Sequence, residues 1–279
     1  MASTPDPALQ PHPPNLLLRV LTASIALPIL FAVIWFGDPF LSIAVAAIVV
    51  AGALEFYNLL SMRWRSSATL IGLLLSALFL VGAAFFDQVV NPVLAAASVA
   101  LCLGILYLKQ RQQLSFVGPV MWGGLGAFLI AWPLCHFILL RDLPEGRYWV
   151  FYTLVTVFAA DAGAYFVGKA VGRHKLAPRI SPNKTMEGAG GAVAAAAVLG
   201  TLAHHLMDLP GALAPIALLS AVAALVSMAG DLAESYLKRR VGAKESGKLL
   251  PGHGGVLDRL DSVVFTVPLV YYCVLWLTG

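Results

Sequence analysis

Apolar runs of about 20 residues recur along this 279-residue chain, and each is long enough to cross a hydrocarbon core about 30 Å thick. Backbone N–H and C=O groups find no water in lipid. A spanning segment must therefore bond internally, and long continuous runs choose helices over a barrel. Composition agrees: charged residues make up 11% of the chain, where a soluble domain carries about 25%, and mean hydropathy is +0.84. The expected fold is all-α, a polytopic integral membrane protein with about nine transmembrane helices. The runs fall at 16–36, 40–61, 67–86, 91–107, 117–140, 148–168, 188–207, 213–235 and 262–279.

Residues 1–15 are Pro-rich and polar and read as a disordered tail. They lack the positive n-region of a signal peptide, so the first span is expected to be retained. Orientation follows from Lys and Arg. With the N-terminus in the cytoplasm, 16 of the 18 Lys and Arg residues fall on the cytoplasmic side, and only Arg141 and Arg147 fall outside. The loops 169–187 and 236–261 then both face the cytoplasm. Net charge is only +4, but the positive charge is local and suits anionic lipid headgroups or nucleotide phosphates. Cys102, Cys135 and Cys273 all fall in apolar runs without metal-binding spacing and read as small helix residues.

The chain divides by chemistry into the tail, residues 16–140, and residues 141–279. Residues 16–140 are apolar helices with short loops, and Glu55 is the one acid inside an apolar run there. The polar chemistry lies between 148 and 261. Gly168 and Gly172 have the small-xxx-small spacing of close helix packing.

An acid inside a span costs roughly 2.5–3.5 kcal/mol on insertion scales, so each needs a reason. Asp161 lies in the sixth run, with Tyr165 one turn on. Asp231, Glu234, Ser235 and Lys238 are spaced i, i+3, i+4, i+7 and form one polar stripe at the end of the eighth. Asp258 and Asp261 share a face at the start of the ninth. Glu234 and Asp261 also suit simple pairing with nearby cations. Two carboxylates brought from different helices to one depth, as Asp231 and Asp258 would be, make a hard-oxygen site of the kind Mg²⁺ prefers.

The two charged loops add cations. One holds Arg179 and then Ser181, Asn183 and Lys184 in the polar turn SPNKT, where Lys184 and Arg179 are expected to face a phosphate; His174 reads as a solvated loop residue. The other holds Lys238, Arg239, Arg240, Lys244 and Lys248, then the turn PGHGG with His253, Gly254 and Gly255, then Arg259. Glycines let the backbone approach a ligand closely, and a helix starting near Val256 would point free N–H groups at that turn. His253 is expected to hydrogen-bond phosphate or brace the turn.

The stretch from Ser235 to Asp261 resembles the signature of the phosphatidate cytidylyltransferases, or CDP-diacylglycerol synthases. That signature runs Ser-x-apolar-Lys-Arg, four residues, Lys-Asp, a short link, then His-Gly-Gly-apolar-x-Asp-Arg-apolar-Asp. Ser235, Leu237, Lys238, Arg239, Lys244, His253, Gly254, Gly255, Val256, Asp258, Arg259, Leu260 and Asp261 match in register. DAGAY at 161–165, SPNKT at 181–185, Glu187-Gly188 and Gly230-Asp231 are similar to the family too. Glu245 departs from the pattern, standing where it has Asp.

The resemblance implies transfer of a cytidylyl group from CTP to phosphatidate, releasing pyrophosphate, in the bacterial-type cytoplasmic (inner) membrane with the site facing the cytoplasm. It implies Mg²⁺ on Asp231 and Asp258, with K⁺ as a possible second ion. Lys184, Lys238, Arg239, Lys244 and Arg259 would hold phosphates. Ser181, Asn183, Ser235, Asp161 and Asp261 would support substrate or metal. It also implies a homodimer, and no nucleic-acid partner is expected. Two rival readings remain at this point. A CTP-dependent polyprenol or phytol kinase would release CDP instead of pyrophosphate. A transporter would be expected to show repeats or broken helices around a midplane site, and no clear repeat is present.

Overall fold

The computed structural model describes residues 16–62, 65–86, 93–94, 97, 117–247, 249 and 254–278. The tail, most of the run at 91–107, Cys102, Lys248 and His253 lie outside the described residues. The chain begins with α1 (Leu16–Phe36), α2 (Phe40–Leu59) and α3 (Ser67–Phe85). A long span follows, made of α4 (Val117–Gly126), a π-helical turn (Ala127–Ala131) and α5 (Trp132–Asp142). Pro133 has no N–H to offer the carbonyl four residues back, and the hydrogen-bond ladder changes register beside it. Then come α6 (Gly146–Val171), a hairpin of β1 (Lys175–Ala177) and β2 (Ser181–Thr185), α7 (Met186–Leu206) and α8 (Leu213–Arg240). The last span is α9 (Leu257–Val264) and α10 (Thr266–Thr278). It breaks at Phe265, where Pro268 leaves the carbonyl of Val264 without its helical donor.

Among the described residues, seven helices are long and apolar enough to cross a membrane, and α1 is a further apolar helix. Each of these eight helices overlaps an expected run. Two ends differ. Helix α8 continues past 235 to Arg240, because Lys238, Arg239 and Arg240 lie favourably at the negative end of its dipole. The last span begins at Leu257, so Asp258 and Asp261 belong to its first turns. Large apolar side chains such as Leu74, Phe85, Leu206 and Trp276 point outward, as a lipid-facing surface requires. Buried Tyr57 donates its hydroxyl to the Gly123 carbonyl at 2.9 Å, joining α2 to α4. A Cβ on Gly72 or Gly126 would overlap that hydroxyl.

Helices α6, α7 and α8 pack together, with α9 laid against α8. Their interface is built from Ala160, Ala192, Ala196 and Ala224, because small side chains let backbones approach where lipid offers no hydrophobic drive. Gly163 faces Gly191, and Gly168 faces Gly188, so the expected glycine packing is present.

The sequence predicts only a polar turn at SPNKT, and the structure forms a hairpin there. Its strands pair antiparallel, Lys175 with Thr185 and Ala177 with Ser181. Thr185 Oγ1 accepts the Gly188 N–H at 3.1 Å and caps α7. Glu187 accepts the N–H of Arg173 at 3.1 Å and meets His174 Nδ1 at 2.6 Å, so exposed His174 has a carboxylate partner. These contacts hold β2 where α6, α7 and α8 meet.

A matched pair of substitutions tests the small-residue interface. A Cβ on Gly163 would overlap the Gly191 carbonyl, whereas one on Gly190 meets nothing within 4 Å. Gly163→Ala is expected to cost about 1–3 kcal/mol and Gly190→Ala nothing, read as melting temperatures in detergent micelles. Equal melting of the two variants would contradict this packing.

Candidate active site

Charge converges where α6, β2, α8 and α9 come together. Lys184 Nζ on β2 lies 2.6 Å from Asp231 Oδ2 on α8. Ser235, one turn on, donates its hydroxyl to Asp231 Oδ1 at 3.3 Å. Further along the same stripe, Lys238 Nζ sits 3.0 Å from Glu234 Oε1 and 2.7 Å from Asp258 Oδ1. The side chains of Glu234 and Asp258 are only 7% and 9% exposed, so this pairing is shielded from water. The other oxygen of Asp258 accepts the N–H groups of Ser246 and Gly255, both at 2.9 Å. Gly230 lets α8 and α9 approach: a Cβ there would overlap the Asp261 carbonyl.

These groups border a cavity of about 390 Å³ lined by Asp161, Lys184, Asp231, Asp258, Arg259 and Asp261, with Asn183 at its edge. Asp231 lies within electrostatic reach of both Asp161 and Asp261, so the cavity concentrates negative charge beside Lys184 and Arg259. Ser262 ties the wall together: its hydroxyl is 3.5 Å from Asp161 Oδ1, and its N–H donates to Asp261 Oδ1 at 2.8 Å. A second cavity of about 610 Å³ is almost wholly apolar and lies among α1, α2, α5, α6 and α9. Arg259 lines both.

The sequence profile of the family described as the cytidylyltransferase family matches residues 17–277. The chain belongs to the cytidylyltransferase family. It is 36% identical over 258 residues to the phosphatidate cytidylyltransferase of Bacillus subtilis, covering 91% of this chain and 96% of that protein. It is also 36% identical over 272 residues to the phosphatidate cytidylyltransferase of Pseudomonas aeruginosa, covering 94% and 97%. With that of Synechocystis it shares 30% over 286 residues, covering 93% and 96%. The chain is thus an enzyme, a nucleotidyltransferase, embedded in a membrane.

In this cytidylyltransferase the residues expected from sequence take different places around the cavity. Asp161, Asn183, Lys184, Asp231, Asp258, Arg259 and Asp261 line the cavity. Ser235, Lys238 and Gly255 stand behind it, bonded to Asp231 or Asp258. Gly254 occupies the left-handed region at φ +82°, with Asp258 and Glu245 next to it, which explains a glycine there. Arg179, Ser181, Arg239 and Lys244 are outside the cavity lining. Arg179 and Lys244 are exposed, and exposed Arg239 approaches the Ile180 carbonyl at 3.5 Å. The helix N–H groups expected to await an anion are already taken, since Val256 and Leu257 donate to Glu55. Glu55, Ser246 and Ser262 are among the site residues that sequence reasoning did not place. Glu55 did carry a signal, an acid inside an apolar run; Ser246 carried none.

Removing the Lys238 ammonium leaves two nearly buried carboxylates unpaired. Lys238→Met is expected to cost about 3–5 kcal/mol of stability, and Lys238→Arg less, measured by denaturant titration in micelles. Indistinguishable curves for Lys238→Met and the unmodified enzyme would refute this pairing.

Proposed function

We propose that this enzyme transfers the cytidylyl group of CTP to phosphatidate, giving CDP-diacylglycerol and pyrophosphate, at the cytoplasmic face of a bacterial-type inner membrane. The observation that carries the reading is the place of Arg259, between a charged cavity of about 390 Å³ and an apolar one of about 610 Å³. A lipid phosphate needs both surroundings within one headgroup's length. The names of the relatives and the excess of Lys and Arg in the loops on this side support the same assignment.

The chemistry is a displacement at phosphorus. An oxygen of the phosphatidate phosphate attacks the α-phosphorus of CTP, a P–O bond forms, and the bond to the β-phosphate oxygen breaks as pyrophosphate leaves. The nucleophile is already anionic, so no side chain must remove a proton. The protein's task is to hold two anions together in line. Arg259 and Lys184 offset their repulsion. Asp231 fixes the Lys184 ammonium, and the Lys238–Asp258 pair fixes the start of α9 that carries Arg259.

Mg²⁺ fits the donor set. A carboxylate offers about four lone-pair sites, so Asp258, with three donors, and Asp231, with two, each retain capacity. Asp261 faces the same cavity. Asp231 and Asp258 would hold the ion. No group of three or more acidic, His or Cys side chains among the described residues is already placed as a metal site, so the ion would keep waters and accept phosphate oxygens. Bound there, it would supply charge neutralisation for the leaving pyrophosphate.

Purified enzyme with phosphatidate, Mg²⁺ and CTP labelled separately at the α- and γ-phosphates tests the reaction. α-Label is expected in the lipid and γ-label in pyrophosphate. Transfer of γ-label to a polyprenol, with phosphatidate inert, would establish the kinase reading instead. Asp231→Ala is expected to lower turnover by about 10²–10³-fold while protein stays in the membrane, and EDTA to stop transfer until Mg²⁺ is restored. Full activity under EDTA would remove the ion from the proposal.

A further inference from the structure

Glu55 is a buried acid, 7% exposed, on α2 and about 200 positions from the signature loop. None of the ion pairs among the described residues involves it. Its charge is met by backbone and hydroxyl donors. Oε1 accepts the Val256 N–H at 3.0 Å; Oε2 accepts the Leu257 N–H at 2.9 Å and the Ser246 hydroxyl at 3.2 Å. Val256 and Leu257 open α9, so the carboxylate sits at the positive end of that helix. Gly247 and Gly255 make room: a Cβ on Gly247 would overlap Glu55, and one on Gly255 would overlap both Glu55 and Ser246.

Asp258 holds the same residues from the other side, accepting the N–H groups of Ser246 and Gly255. Ser246 therefore gives its hydroxyl to Glu55 and its N–H to Asp258. Val256 and Leu257, bonded to Glu55, directly precede Asp258. We infer that Glu55 is a positioning residue for the reaction: its carboxylate, donated from the first helices, locks Ser246 and the first turn of α9 so that Asp258 and Arg259 face the cavity. Both oxygens are required. A glutamine would present an N–H₂ group to one of the two amides and leave it without an acceptor, so Glu55→Gln should behave much like Glu55→Ala.

The role in turnover rests on the cytidylyltransfer reading; the role in holding the loop does not. The test therefore measures both, on the full-length enzyme in micelles. In Glu55→Gln, kcat for CDP-diacylglycerol formation is expected to fall about 10–100-fold, with KM for CTP nearly unchanged. Amide hydrogen exchange at Ser246 and at 255–257 should accelerate, while α6 and α7 keep their protection. Ser246→Ala, which removes one of three donors to Glu55, should lie between Glu55→Gln and the unmodified enzyme. Unchanged exchange at Ser246 and 255–257, or unchanged kcat, overturns the inference. So does loss of protection throughout the bundle, which would make Glu55 a general stability residue. If the unmodified enzyme transfers no cytidylyl group, the functional reading fails, and the exchange data still decide whether Glu55 holds the loop.

Discussion

The carboxylate of Asp258 is where separate parts of the chain are tied together. One oxygen takes the Lys238 ammonium from α8, and the other takes two backbone amides from the loop before α9. With three donors, a nearly buried carboxylate can stay charged at the edge of an apolar bundle. The direction of α9, the position of Arg259 and the shape of the charged cavity all follow from that anchorage.

A second constraint works with it. In lipid, helices gain little from burying apolar surface against each other, so close contact depends on small residues and a few hydrogen bonds. The α6–α7 seam follows that rule with facing glycines and alanines. One consequence is functional: the seam brings β2 against α8 and so lets Lys184 reach Asp231. Glycine serves the site in another way too. Gly230, Gly247 and Gly255 are places where the backbone or Glu55 must approach more closely than a side chain permits.

Much of the site was legible in the sequence. Asp161, Asp231, Asp258 and Asp261 stood out because acids at the ends of apolar runs are costly, and all four line the cavity. The i, i+3, i+4, i+7 stripe on α8 was legible because helical period is local, and its members are bonded as neighbours. The basic residues were less legible. Lys238 and Arg259 have similar charge and similar depth along the chain, yet Lys238 is enclosed between two acids while Arg259 faces both cavities. Charge alone does not say which way a side chain turns.

The sequence by itself determined the helical membrane architecture, the segments in which charge accumulates, and the identity of the acids, since each depends on run length, composition or periodicity along one dimension. The tertiary structure decided which acid meets which base, that a hairpin delivers Lys184, and that Glu55 occupies the helix N-terminus expected to stand open for an anion. Those are contacts between positions tens to hundreds of residues apart, and no local period encodes a partner at that distance. They form only once α2, α8 and α9 have packed.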